Sequence, residues 1–224
     1  MVQRDFCKEK KMVIKPENWN VLVLGAWNPA ILTPDGIRKL LYKLPEGTPV
    51  DVEVVIDRIG PQRVRSNGLI VMASSHSLDV GTEHANPEAL ERAANLAING
   101  LTALPETPFS AVGVNFRFRM NELPDNILEL IKAPLDDVLS DAGQELLQRK
   151  VFRTISLPPG VLNLDLADTD SGEGFATFNF HMDSRDHEVL VGWLGRTQEF
   201  HQRVQEILQS LNLETLAEGN AEDV

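Results

Sequence analysis

Cysteine is almost absent from this sequence: Cys7 stands alone among 224 residues. One thiol closes no internal disulfide and builds no thiolate zinc cluster, which fits a reducing compartment and a cytoplasmic address. Cys7 sits in a polar stretch, Gln3 to Lys11, that reads as frayed. No apolar run approaches the ~18–20 residues of a membrane span. The first residues carry charge without the apolar h-region of a secretory signal. Glycine-rich nucleotide loops are missing as well, with no Gly-x-x-x-x-Gly-Lys, no Gly-x-Gly-x-x-Gly after a strand and no Gly-x-Ser-x-Gly elbow. That weighs against kinases, dehydrogenases and α/β-hydrolases. Positive charge is also short. Lys and Arg number 21 against 33 Asp and Glu, giving a net charge of −12 and a pI near 4.8. A phosphate backbone or an anionic membrane needs cations to neutralise it, so neither is the expected partner. A basic protein or peptide is.

What is present is a core-forming chain, 42% hydrophobic and 24% charged, and a recurring phrase. Pro34-Asp35-Gly36-Ile37 with Leu40-Leu41 returns ninety residues later as Pro124-Asp125-Asn126-Ile127 with Leu130-Ile131. Each copy follows an apolar run, Val21 to Leu24 or Val112 to Val114. Repetition of this kind speaks of one supersecondary unit used twice around a joint core.

Local patterns fill in the unit. Trp19 to Trp27 reads as a buried strand. Thr33 caps a helix that starts at Pro34 and carries Ile37, Leu40, Leu41 and Leu44 on one face. Val50, Val52, Val54 and Ile56 alternate with polar residues, the clearest half-buried strand in the chain. Gly60-Pro61 turns the chain. Ser66-Asn67-Gly68 joins strands over Arg63–Arg65 and Leu69–Ala73 in a hairpin, and Ser77–Gly81 is a further strand. Asn86 and Pro87 open a helix with Leu90, Ala93, Ala94, Ala97, Ile98 and Leu101 inward. In the second half Val112 to Met120 alternate as a long strand. After the Pro124 helix comes an extra segment, Ala133 to Gly143. Strands follow over Val151–Leu157, Leu162–Leu166 and Phe178–Met182. Gly192 and Gly195 favour a fourth strand over Glu188–Trp193. A last helix carries Phe200, Val204, Ile207, Leu208 and Leu211.

The expectation is an α+β protein, an internal duplication of a β-α-β-β-β-β-α unit with a largely antiparallel sheet and helices on one face. Its parts would be an N-terminal extension (1–17), a first half (18–108), a second half packed on it (109–213) and a flexible acidic tail (214–224). In element order such a duplication is similar to the saddle of TATA-binding proteins, a likeness of architecture that carries no function.

Candidate chemistry is thin. His181-x-Asp183 with His201 offers an iron-type ligand set, but a strand-end His beside a turn Asp accounts for it. Asp168-x-Asp170-x-Gly172 lacks the bidentate Glu of a calcium loop, Asn179 standing at position 12. His76 and His84 read as exposed turn residues, and Trp19 and Trp27 as core or as an aromatic rim. No catalytic residue, metal or cofactor is assigned.

The arrangement to test is the polar face of the sheet, with Asn115, Arg117, Arg119, Asn163, Asp165, Asn179 and His181 pointing away from the helices. The leading expectation is a non-catalytic binding protein that uses this face or a sheet edge for a basic partner. One alternative is a small-molecule site or weak hydrolase or isomerase, with His181 as base, Asp165 as its orienter and Arg117 as anion clamp. A second is a nucleic-acid saddle. Leu69–Ala73, apolar throughout, also predicts a homodimer that Val71→Lys would split.

Overall fold

A computed structural model describes residues 12–54 and 61–215. Within them lie an open, largely antiparallel sheet of ten strands and six helices, an α+β architecture. Its middle is the pair β1 (Met12–Gly25) and β6 (Phe109–Met120), antiparallel, with Val21 opposite Val114 and Val23 opposite Val112. These four valines share one side of the sheet, and their burial fixes the register, since a slip of one residue would turn them all to water.

From β1 the chain passes through α1 (Pro34–Leu40), β2 (Asp51–Glu53), β3 (Arg63–Ser66), β4 (Leu69–Ala73), β5 (Ser77–Thr82) and α2 (Pro87–Ala103). After β6 come α3 (Asp125–Ile131), α4 (Pro134–Asp141), β7 (Lys150–Leu157), β8 (Gly160–Asp168) and β9 (Gly174–Asp183). Then follow α5 (His187–Leu194), α6 (Thr197–Ser210) and β10 (Leu213–Thr215). The strands lie in the order β2-β3-β4-β5-β1-β6-β9-β8-β7, and β10 pairs in parallel with Met12–Ile14 of β1.

Cap chemistry sets where the helices begin. The Thr33 hydroxyl accepts from Gly36 N at 3.2 Å, and Asn86 Oδ1 accepts from Ala89 N at 2.7 Å, satisfying amides that the first helical turn leaves orphaned. In the repeated phrase Ile37 and Leu41 are buried, as are Ile127 and Ile131. One glycine eases a close approach: a Cβ on Gly100 would lie 2.9 Å from Leu78 Cδ2, so a larger residue there would have to displace that side chain from between α2 and β5. Across the sheet, Phe200 of α6 stacks on Phe180 of β9 with ring centroids 4.3 Å apart, and Trp193 Nε1 of α5 donates to Phe180 O at 3.1 Å.

Three sequence expectations change. Among the described residues the alternating segment from Val50 forms the three-residue β2, with Val52 in it 42% exposed and Val54 just beyond it 51% exposed. Its period was right, but β2 is the sheet's edge and nothing among the described residues covers its apolar face. Glu188–Trp193 is helical. Asp186 caps α5 by accepting from Glu188 N at 2.9 Å, and Leu190, Trp193 and Leu194 bury one stripe at helical spacing, which outweighs the propensity cost of Gly192. Three strands, β7 to β9, therefore lie between β6 and α5, against the four expected. Trp19 and Trp27 are both core residues, as the first of their two readings has them. Finally, Val71 is fully buried on the helix side; the partly exposed members of β4 are Ile70, Met72 and Ala73. Val71→Lys would place a charge in the core, so it does not test self-association.

β1 begins at Met12, inside the segment expected to be an extension. The expected fraying of Gln3–Lys11, the Ile56 end of the predicted strand, the Gly60 side of its turn and the Ala217–Val224 tail lie outside the described residues.

Candidate binding face

Antiparallel pairing brings residues of equal phase into rows across the sheet. One row on the side away from the buried valines runs Asn20, Asn115, Asn179, Asn163 and Thr154, on β1, β6, β9, β8 and β7 in turn. Its side chains bond in series. Thr154 Oγ1 donates to Asn163 Oδ1 at 2.9 Å, Asn163 Nδ2 to Asn179 Oδ1 at 3.0 Å, and Asn179 Nδ2 to Asn115 Oδ1 at 2.6 Å. Asn163 and Asn179 each give in one direction and accept from the other, so the ladder has polarity. Gly113 makes room for it, because a Cβ there would lie 2.9 Å from Asn179 Nδ2. At the β1 end Asn20 Nδ2 turns to Asp79 Oδ1 at 2.7 Å. Burial of Asp79 pushes its pKa up, and the Asn20 bond partly offsets the rise.

The charged members of the face are paired among themselves. Arg117 stacks over the Phe175 ring at 4.2 Å and sits 3.9 Å from Glu17. Arg119 bonds Glu173, and Lys150 bonds Asp165. His181 Nε2 lies 3.0 Å from Asp183 Oδ1. Further along, Arg65 bridges Glu53 and Glu83; hydrogen bonding to Arg65, with a smaller charge effect of Arg63, holds the Glu53 carboxyl below its ordinary range. Cations and carboxylates alternate here, so the face presents no single-sign field to a ligand.

All seven expected residues lie on this side, but they do not converge. Asp165 is opposite Thr177 and His181 opposite Val161, a separation of four residues along β9 or roughly 13 Å at strand rise. The proposed orienter therefore holds a lysine, and the proposed base holds Asp183. His201 lies beyond the sheet from His181, its ring 5.8 Å from Trp19 and 6.2 Å from Phe116, so the iron-type set does not form. Asp168 is buried and taken by Arg149, whose guanidinium reaches Asp168 at 2.7 Å and Asp136 at 3.2 Å. Among the described residues no three His, Cys, Asp or Glu side chains are grouped to hold a metal. The lone tyrosine, Tyr42, donates to Leu69 O at 3.0 Å, and burial pushes its pKa to about 12.

Sequence reasoning passed over three parts of this region. Asn20 and Thr154 complete the ladder, and a polar residue in phase with the open face of an otherwise apolar strand was the available signal. The third part is the exposed end of the sheet. β7 is an edge strand with Phe152 51% and Ile155 40% exposed, on opposite sides. Before it, α4 buries none of its residues, and Leu130, Leu135, Val138 and Leu147 are all exposed. No protein-family model matches this chain, and no curated protein is significantly similar to it.

Proposed function

We propose that this is a non-catalytic binding protein that takes a basic protein or peptide on the β8–β7 end of its open sheet face and on the acidic connection leading into β7. The observation that carries this reading is where charge and exposed apolar surface coincide. From Glu122 to Glu145 the chain has seven Asp or Glu and one Lys, a net charge of −6 within the whole −12. The same stretch exposes Leu130, Leu135 and Val138, and Arg149 ties α4 to the start of β7 through Asp136. Carboxylates set among uncovered leucines suit a cationic amphipathic segment, which they steer by charge and hold by apolar contact. The self-paired ladder on the adjacent face supports a pre-formed contact surface in preference to a reacting one.

The strand order supports a duplicated origin. Outward from β1–β6 it reads β5-β4-β3-β2 on one side and β9-β8-β7 on the other, mirrored except for one strand. A TATA-binding-protein-like saddle is in keeping with that order, whereas the pairing of Arg117 and Arg119 with carboxylates removes the free cations a nucleic acid would need.

Titration calorimetry with a synthetic peptide alternating Lys and Leu tests the reading. Binding should weaken steeply as salt rises, and the triple variant Asp137→Ser, Asp141→Ser, Glu145→Ser should weaken it at least tenfold at low salt. Equal affinity in the variant and the parent chain would overturn it.

A further inference from the structure

We propose that β7 is an interface strand, which pairs antiparallel with β7 of a second copy of this chain about a two-fold axis through Thr154. The phase of its hydrogen bonds leaves one edge of β7 open. Asp168 N donates to Arg149 O at 3.0 Å, in the same register that continues through the β7–β8 ladder. Bonded and non-bonded pairs alternate in an antiparallel ladder. Residues 151, 153, 155 and 157 therefore spend their backbone groups on β8, while Lys150, Phe152, Thr154 and Ser156 aim N–H and C=O at the outer edge. No strand among the described residues pairs there. Among the described residues only the Phe152 carbonyl is covered, by Arg153 Nη1 at 2.8 Å.

Side-chain parity then limits which strand fits. In a two-fold antiparallel pair, opposed residues must share a face, so the axis passes through a residue and never between two. Two centres keep the pairing within the length of β7, Arg153 and Thr154. Centring on Arg153 sets two guanidinium groups directly opposite at a non-bonded pair, where side chains come closest, and like charges there repel. Centring on Thr154 opposes Thr154 to the partner's Thr154, Phe152 to the partner's Ser156 and Arg153 to the partner's Ile155. No like charges meet, and three bonded pairs supply two backbone hydrogen bonds each. Exposed Phe152 and Ile155 gain neighbours, and the row that ends at Thr154 continues into the same row of the second copy.

The other edge cannot substitute. β2 has three residues, and the last of them, Glu53, is held by Arg63 and Arg65. Since β7 meets only itself, the assembly closes at two copies and does not grow into a filament.

Sedimentation of the full chain at micromolar concentration should give twice the monomer mass. In a Cys7→Ser background, Thr154→Cys should form a disulfide dimer under mild oxidation, because opposed Cα atoms in a bonded pair lie ~5.5 Å apart, within disulfide reach. Phe152→Cys alone should not link, whereas Phe152→Cys with Ser156→Cys should. Thr154→Pro removes the outward N–H together with the hydroxyl that bonds Asn163 and should yield a folded monomer, and Phe152→Lys, which leaves that bond in place, provides a second route if the proline distorts the strand. Both leave the acidic surface intact, so cationic-peptide binding persists in the monomer. A wild-type chain that sediments as a monomer, or linkage through Arg153→Cys in place of Thr154→Cys, would overturn the assignment.

Discussion

The indole of Trp19 shows how one side chain settles an irregular backbone. Asn18 and Trp19 together oppose a single residue of β6, a bulge made possible by the left-handed conformation of Asn18 (φ 52°). Trp19 Nε1 donates at 3.1 Å to the carbonyl of Arg117, beside that break in the ladder, while the ring packs edge-on against Phe116 and Phe118. Trp19→Phe keeps most of the ring contacts and removes the donor. It should cost about 1–2 kcal/mol in urea unfolding, the price of one orphaned carbonyl, with the slope unchanged. His201 makes a second residue-scale case. Burial pushes its pKa down, and the Gln205 amide, 3.2 Å away, can only donate to the ring nitrogen, which must then accept as in a neutral imidazole. The folded protein therefore holds this proton less tightly than the unfolded chain. Stability is complete above the unfolded value of about 6.5 and falls as pH drops from there through the lowered folded value. Thermal midpoints should fall between neutral pH and pH 5, and His201→Gln should make that fall shallower. An unchanged pH slope in the variant would show that the imidazole is not its source.

Elements were legible in the sequence wherever a local signal decided them. Asn67-Gly68 supplies the two positive φ angles of a tight hairpin, and β3 and β4 flank it as expected. Thr33-Pro34 and Asn86-Pro87 start their helices where cap chemistry says they must. Legibility failed where the outcome depended on neighbours far along the chain. The alternation from Val50 cannot reveal that no helix covers its apolar side. The glycines at 192 and 195 say nothing of the sheet face waiting for Trp193 and Leu194. The candidate face was readable as a set of in-phase residues, but its pairings were not, because they depend on which strands become neighbours. Asp186 was the missed clue for α5. Asp186→Ala should cost about 1 kcal/mol, seen as a lowered urea midpoint with secondary structure retained.

Taken whole, the sheet is best protected in its middle and thinly covered at its margins. Hydrogen exchange should be slowest at Val21, Val23, Val112 and Val114, which are buried within the central pair, and fastest in β2. The outward amides of Thr154 and Ser156 should exchange quickly in the Phe152→Lys monomer and slow down in the wild-type dimer. Equal protection at centre and edges would contradict this layout. The parallel pairing of β10 with the start of β1 also has a mechanical consequence. A pull applied through the two ends of the chain draws β1 and β10 in opposite senses along their common axis. Their hydrogen bonds are then loaded together in shear and cannot open one after another like a zipper. In an optical trap this short clamp should be the first element to resist, and it should give way in one step before the central strands feel the load.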